Sequence, residues 1–209
     1  IDGEFTVSAR GFWQVHPGAA SRFVAAALEG LAPAPGERAL DLYSGVGVFA
    51  AALAAAVGPT GQVIAIESDE TATRHAEANL AAYGNAVIVP ARVDDAFGIP
   101  RAQKGPRRRG SRPRGATRHP LIPTSADLVL LDPPRTGAGA GVVRAIAALR
   151  PRAIAYVACD PAALARDLAT FAQEGYAVRT LRAFDAFPMT HHVECVALLA
   201  PISLRMPKS

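Results

Sequence analysis

The chain has 209 residues, half of them hydrophobic, enough for one full domain with a sizeable core and too short for two ordinary ones. Two cysteines, Cys159 and Cys195, exclude a disulfide framework, and no apolar run is long and charge-free enough to span a bilayer. The net charge of +4 conceals an asymmetry: Arg101, Lys104, Arg107, Arg108, Arg109, Arg112, Arg114 and Arg118 contribute +8 with no acid among them, leaving −4 for the rest. The opening Ile1-Asp2-Gly3-Glu4 has neither Met nor a basic n-region, so it reads as a cut edge rather than a secretion signal. These features together predict a cytoplasmic protein with reduced thiols.

In chain order, Phe5 to Arg10 alternate loosely and predict a short strand belonging with an upstream part. Pro17 suits the first position of a helix carrying Phe23, Val24, Ala27, Leu28 and Leu31 at helical spacing. Strand, glycine turn, helix and strand follow at Ala39–Tyr43, Val46–Val57 and Val63–Glu67, then a helix over Asp69–Tyr83 and a strand over Val87–Val93. Beyond the basic segment come a strand at Leu128–Leu131, a helix at Val142–Leu149, a strand at Ala153–Ala158 and a helix at Pro161–Glu174. Two strands, Ala177–Phe184 and Val193–Leu199, close the chain. Apolar strands alternating with helices predict an α/β fold with a mostly parallel sheet covered on both faces. The last two strands leave no room for a helix between them, so the first is expected parallel to its neighbours and the final one antiparallel. On that topology Glu194 reaches the same crevice as Asp132 and Cys159.

Three polar islands then stand where strands meet loops: Asp132-Pro133-Pro134-Arg135, Cys159-Asp160-Pro161, and Thr190-His191-His192-Val193-Glu194. In an open α/β sheet, ligands bind at such carboxyl ends. Gly45 and Gly47 in the turn Asp41–Gly47 allow close backbone approach to a ligand. Glu67, 26 positions after Asp41, can accept both ribose hydroxyls of a nucleoside. The turn departs from Gly-x-Gly-x-x-Gly, which disfavours NAD. The two prolines after Asp132 make a rigid, donor-free turn able to hold a flat base or a cofactor tail against its carboxylate. Cys159 precedes a helix start, where the helix dipole favours thiolate, whereas Cys195 reads as a small core residue. His191 and His192 lack a third ligand at metal-site spacing, so no metal is expected. Gln14 brings an amide beside Phe12 and Trp13.

Phe12-Trp13-Gln14, Asp41–Phe49, Glu67, Leu131–Gly137, Tyr156–Leu168 and Phe187–Leu199 occur in the order seen in the 5-methyluridine RNA methyltransferases. The chain thus resembles S-adenosylmethionine enzymes that act on uridines of transfer or ribosomal RNA. The resemblance implies a Rossmann-like class I methyltransferase domain over residues 17–209, following a lead-in at 1–16, with a basic insertion at about 98–125. It implies a mostly parallel seven-stranded sheet whose last strand is antiparallel. Cys159 would be the nucleophile and Glu194 the general base, while Gln14, Tyr43, Glu67 and Asp132 would line the cofactor site. The uracil ring explains the pairing: thiolate addition at C6 makes C5 nucleophilic, and a base must then remove the C5 proton.

Asp160 stands where relatives have asparagine and Ser44 where they have cysteine, and Val46 and Val48 replace polar residues. A carboxylate at Asp160 would disfavour the thiolate. Relatives also carry an upstream β-barrel RNA-binding domain and an insert often holding an iron–sulfur cluster, which two cysteines cannot ligate. The stretch Pro106–Gly115 lacks apolar residues, is expected to be unfolded alone, and reads as a phosphate tether or a solvated linker entering from the amino edge of the sheet. The rival readings are an RNA cytosine-C5 methyltransferase, a non-catalytic RNA-binding domain of the same fold and, more distantly, a dehydrogenase.

Overall fold

A computed structural model describes residues 5–8, 18–100, 117–185 and 193–202. Among these described residues seven strands alternate with six helices: α1 (Ala19–Leu31), β1 (Arg38–Leu42), α2 (Val48–Val57), β2 (Gln62–Glu67), α3 (Glu70–Leu80), β3 (Ala86–Pro90) and α4 (Val93–Ala96) come first. Then follow β4 (Leu128–Leu131), α5 (Ala140–Ala148), β5 (Ala153–Ala158), α6 (Pro161–Gln173), β6 (Tyr176–Phe184) and β7 (Glu194–Pro201). The strands form one sheet in the order β3-β2-β1-β4-β5-β7-β6, with the first five parallel and β7 antiparallel to both neighbours. The seven-stranded α/β expectation holds.

The pleat sends alternate side chains to opposite faces. Leu40, Leu42, Ile64, Ile66, Val129, Leu131, Ile154 and Tyr156 meet α4, α5 and α6 on one side. Ala39, Val63, Ala65, Leu128, Leu130, Ala155 and Val157 meet α1 and α2 on the other. Small residues let that second layer sit close: a Cβ added at Gly30 of α1 would fall 2.1 Å from the Leu198 side chain of β7. Burial on both faces explains why these strands are continuous apolar runs rather than alternating ones.

Four expectations are corrected. Residues 5–8 form no strand; the Thr6 backbone instead pairs with the Asn79 side chain of α3, at 2.8 and 3.1 Å. Residues 9–17, including Pro17 and Gln14, lie outside the described residues. The strand expected over Val87–Val93 stops at Pro90, whose ring removes a ladder donor, and the chain turns into α4 with Asp94 and Asp95 in its first turn. β6 is not parallel to its neighbour, because β7 tucks between β5 and β6 and β6 pairs only with β7. Burial decides that order: Glu194–Leu199 of β7 are all buried, whereas most of β6 is exposed, with Leu181 57% accessible.

The fourth concerns the insertion. Ile99 N–H donates to the Asp94 carbonyl at 2.8 Å and His119 N–H to the Ala96 carbonyl at 2.9 Å, so both flanks are rooted on α4. A Cβ at Gly141, near the start of α5, would lie 3.1 Å from the Ile99 side chain. α4 and the start of α5 both follow carboxyl ends of strands, so the basic segment departs from that edge and not from the amino edge. Arg118 stacks over Phe97 at 5.7 Å and Ile122 is buried, so residues 117–125 belong to the packed domain.

Candidate active site

The carboxyl edge carries the site. Glu67 ends β2, Tyr43–Gly47 follow β1, Asp132 follows β4, Cys159 follows β5 and Glu194 begins β7. These five strands are consecutive in the sheet, so the groups form a row across four strand spacings, about 19 Å. Strand order reverses between β1 and β4, and Asp132 stands at that switch point. A cleft of about 1070 Å³ runs along the row and is lined by Tyr43, Gly45, Glu67, Asp132, Cys159 and Glu194 among others. Gly47 is buried and does not line it: its φ of +87° serves the turn, and a Cβ there would lie 3.4 Å from the Leu80 side chain and 3.5 Å from that of Ala76. Gln14 lies outside the described residues, as do His191 and His192. Among the described residues no cluster of His, Cys, Asp or Glu has metal-site geometry, and no helix is long and apolar enough to cross a membrane.

The β1–α2 turn is strained where it meets the cleft. Tyr43 has φ of +63°, a left-handed conformation that side chains rarely adopt, followed by Gly45 at +54°. One bond network holds it. Glu67 Oε2 accepts the Gly45 N–H at 2.9 Å, and Oε1 accepts the N–H groups of Ser68 and Asp69 at 2.6 and 2.7 Å. Oε1 is therefore committed to the backbone, whereas Oε2 retains lone-pair capacity on the cleft side. The buried Ser44 hydroxyl, also at the cleft, has no protein partner among the described residues. Behind the turn, neither oxygen of the fully buried Asp41 has a well-formed hydrogen bond, and burial, then the Asp132 charge, holds its carboxyl well above the usual range.

On the other half of the row, β7 pairs Cys195 with Ala158, so one step further in the same register Cys159 stands opposite Glu194. Glu194 is 4% exposed, and burial raises its carboxyl while Arg135 opposes the rise. Asp132 is pushed up to about 7 by burial and then by Glu194. The expectation of a thiolate-favouring Cys159 is corrected: burial, then Glu194 and Asp132, raise its thiol, with Arg135 acting against them. Asp160 is not among those causes, because its carboxylate caps α6 by accepting the Ala163 N–H at 2.7 Å. Sequence reasoning assigned no role to Arg135, although it stands inside a quoted motif. It also missed the Arg92–Asp94 pair, 3.1 Å apart at the cleft beside Tyr43, for which the only signal was a short acidic helix start after Pro90.

A family model described as tRNA (Uracil-5-)-methyltransferase matches residues 7–202. The chain belongs to this family. A Streptomyces avermitilis member, named an uncharacterized RNA methyltransferase, is 50% identical over 94% of the chain and 41% of its own length. The 23S rRNA (uracil(1939)-C(5))-methyltransferase of Cronobacter sakazakii is 37% identical over 92% of the chain and 40% of its own length. Among solved structures, the Pyrococcus abyssi tRNA (uracil-54, C5)-methyltransferase in complex with S-adenosyl-L-homocysteine superposes with a TM-score of 0.69 at 28% identity, covering 94% of this chain and 42% of that one. The chain therefore spans about two-fifths of the length of the curated relatives it matches. Family membership agrees with the resemblance carried by the quoted motifs.

Proposed function

We propose that the chain is the catalytic part of an enzyme that methylates C5 of a uridine in RNA, using S-adenosylmethionine. The observation that carries this reading is the opposition of a thiol and a carboxylate across β5 and β7, beside Asp132 at the switch point. Family membership and a relative solved with S-adenosyl-L-homocysteine support it. The cleft fits a nucleoside cofactor together with one extruded base: about 1070 Å³ is at the upper end for ligand sites. It offers Glu67 Oε2 to ribose hydroxyls.

When bound, the cofactor supplies an electrophilic methyl group on a sulfonium. Cys159, once its thiol proton has been lost to solvent, would add as thiolate to C6 of the uracil ring, forming the S–C6 bond and moving the C5–C6 π electrons toward C5. C5 would then form its bond to the methyl carbon as the methyl–sulfonium bond breaks, its electron pair staying on the cofactor sulfur. Glu194 accepts the C5 proton, and the electrons of that C–H bond re-form C5–C6 as the S–C6 bond breaks and Cys159 leaves. The buried position of Glu194 suits this role, since desolvation raises its basicity. The target uridine must leave its stack to reach the cleft. We propose too that the basic segment, whose flanks are rooted on α4, contacts RNA phosphates next to the site.

The test supplies S-adenosylmethionine with a labelled methyl group and unmodified ribosomal or transfer RNA, then analyses the digested nucleosides. Label in 5-methyluridine that disappears with Cys159→Ala is the expected result. Label elsewhere, or label that survives the substitution, refutes the mechanism.

A further inference from the structure

α6 buries a stripe of Ala163, Leu164, Asp167 and Phe171 against the sheet. Position 167 belongs to that core-facing stripe, where an apolar residue is the ordinary choice, yet it holds an acid 4% exposed and away from the cleft. The Asp167 carboxylate accepts the Tyr156 hydroxyl at 2.7 Å, the Ala138 N–H at 2.7 Å and the Gly139 N–H at 3.2 Å. A Cβ at Gly137, whose φ is +81°, would stand 2.7 Å from Asp167 Oδ2, so the loop wraps the carboxylate without spare room. A buried carboxylate is stable only when donors surround it, and here every donor but Tyr156 comes from the loop that follows Arg135.

The placement in the chain gives this cluster its reach. Tyr156 lies three residues before Cys159 and Asp167 eight residues after it. The cluster thus ties the loop after Asp132 to both segments flanking the cysteine. We propose that Asp167, with Tyr156, is a positioning residue that locks the Arg135–Gly139 loop to α6 and so holds the Arg135 guanidinium toward Cys159 and Glu194. This rests on the reading of Cys159 as the nucleophile. Arg135 is the cation that opposes the rise of both groups, against burial and, at Cys159, the charges of Glu194 and Asp132. The Tyr156 hydroxyl, raised by burial and by its bond to Asp167, stays a donor at all working pH values.

The test compares the full chain with its Asp167→Asn and Tyr156→Phe variants. Site-specific alkylation of Cys159 by iodoacetamide is followed across pH by peptide mass spectrometry, alongside S-adenosyl-L-homocysteine affinity by calorimetry and methyl transfer to RNA. Asparagine is nearly isosteric but turns an N–H₂ toward donors. Asp167→Asn is expected to move the Cys159 alkylation midpoint up by about half a pH unit or more. Methyl transfer should fall roughly 10- to 100-fold, as for a group displaced by about 1 Å. S-adenosyl-L-homocysteine affinity should stay within about threefold, because Glu67 is held by separate bonds. Tyr156→Phe should act in the same direction more weakly, since two N–H donors remain. An alkylation midpoint unmoved in a folded Asp167→Asn overturns the proposal; if that variant does not fold, the midpoint of Tyr156→Phe decides. Affinity lost in step with activity and with melting temperature, the midpoint unchanged, would mark Asp167 as merely structural. Alkylation needs neither RNA nor turnover, so a wild-type protein that transfers no methyl group would defeat the functional reading and still leave the positioning role decided.

Discussion

Glu194 and Asp132 both line the cleft, and burial raises both carboxyls. In the proposed mechanism, removal of the C5 proton comes after the covalent bond to Cys159 has formed. Glu194→Gln is therefore expected to stall after methylation and accumulate an RNA–protein adduct, visible as a slow band on a denaturing gel and absent with Cys159→Ala. No adduct with the glutamine variant would remove Glu194 from the base role. Asp132 tests the site's electrostatics apart from turnover. Its folded pKa of about 7 lies above the ordinary 3.8, so it binds its proton more tightly folded than unfolded. Its contribution to stability is present below about pH 4 and is lost as pH rises through 7. Asp132→Asn mimics the neutral form throughout, so the ligand-free variant should gain on the order of 2 kcal/mol over wild type at pH 8 and much less at pH 4. Urea midpoints at the two pH values measure the difference, and an equal gain at both would contradict it.

At the scale of elements, the amino edge of the sheet is tied as deliberately as the carboxyl edge is left open. Arg152, just before β5, donates to Glu37 at 2.5 and 2.7 Å and to the Leu31 and Ala32 carbonyls at 3.0 and 2.8 Å. One guanidinium thus caps α1 and joins it to the turn before β1. The Arg152 bond lowers the Glu37 carboxyl below its ordinary 4.5, so this contribution is present above that pH and fades as pH falls through the lower folded value. Arg152→Ala should lose about 1–2 kcal/mol at pH 7, and the Glu37 part of that loss should fade as pH falls through the lowered folded value of Glu37, leaving the carbonyl bonds. A loss independent of pH would mean that the carbonyl bonds carry all of it. Most elements were legible in the sequence within a few residues, since α2, β4, β5 and α6 combine clear periodicity with Gly or Pro punctuation. α4 was not: four residues are too few to show a period, and its first residue, Val93, read as the tail of the preceding strand.

For the whole molecule, charge is the remaining variable. The +8 between Arg101 and Arg118 sits in a chain whose remainder is −4, so the proposed attraction to RNA phosphates rests on that one segment. Replacing Arg107, Arg108, Arg109, Arg112 and Arg114 with serine is expected to weaken RNA binding at low salt and to flatten the slope of log affinity against log salt by about one or more. Methyl transfer at saturating RNA should change little. Unchanged affinity and slope would reduce the segment to a solvated linker.

The sequence by itself determined the sheet's composition, the strand ends that carry Glu67, Asp132 and Cys159, and the family motifs, because those signals are local: apolar runs, glycine turns and prolines at fixed offsets. Only the tertiary structure decided the rest. The place of β7 beside β5, which sets Glu194 opposite Cys159, follows from burying the more apolar of two hairpin strands. The direction of the Cys159 shift follows from its burial first, and then from two carboxylates brought near it from other strands. The Asp167 cluster joins α6 to a loop 28 and 29 residues earlier, and no periodicity records such a contact. Charges and hydrogen bonds act through space, whereas sequence patterns report only what lies along the chain.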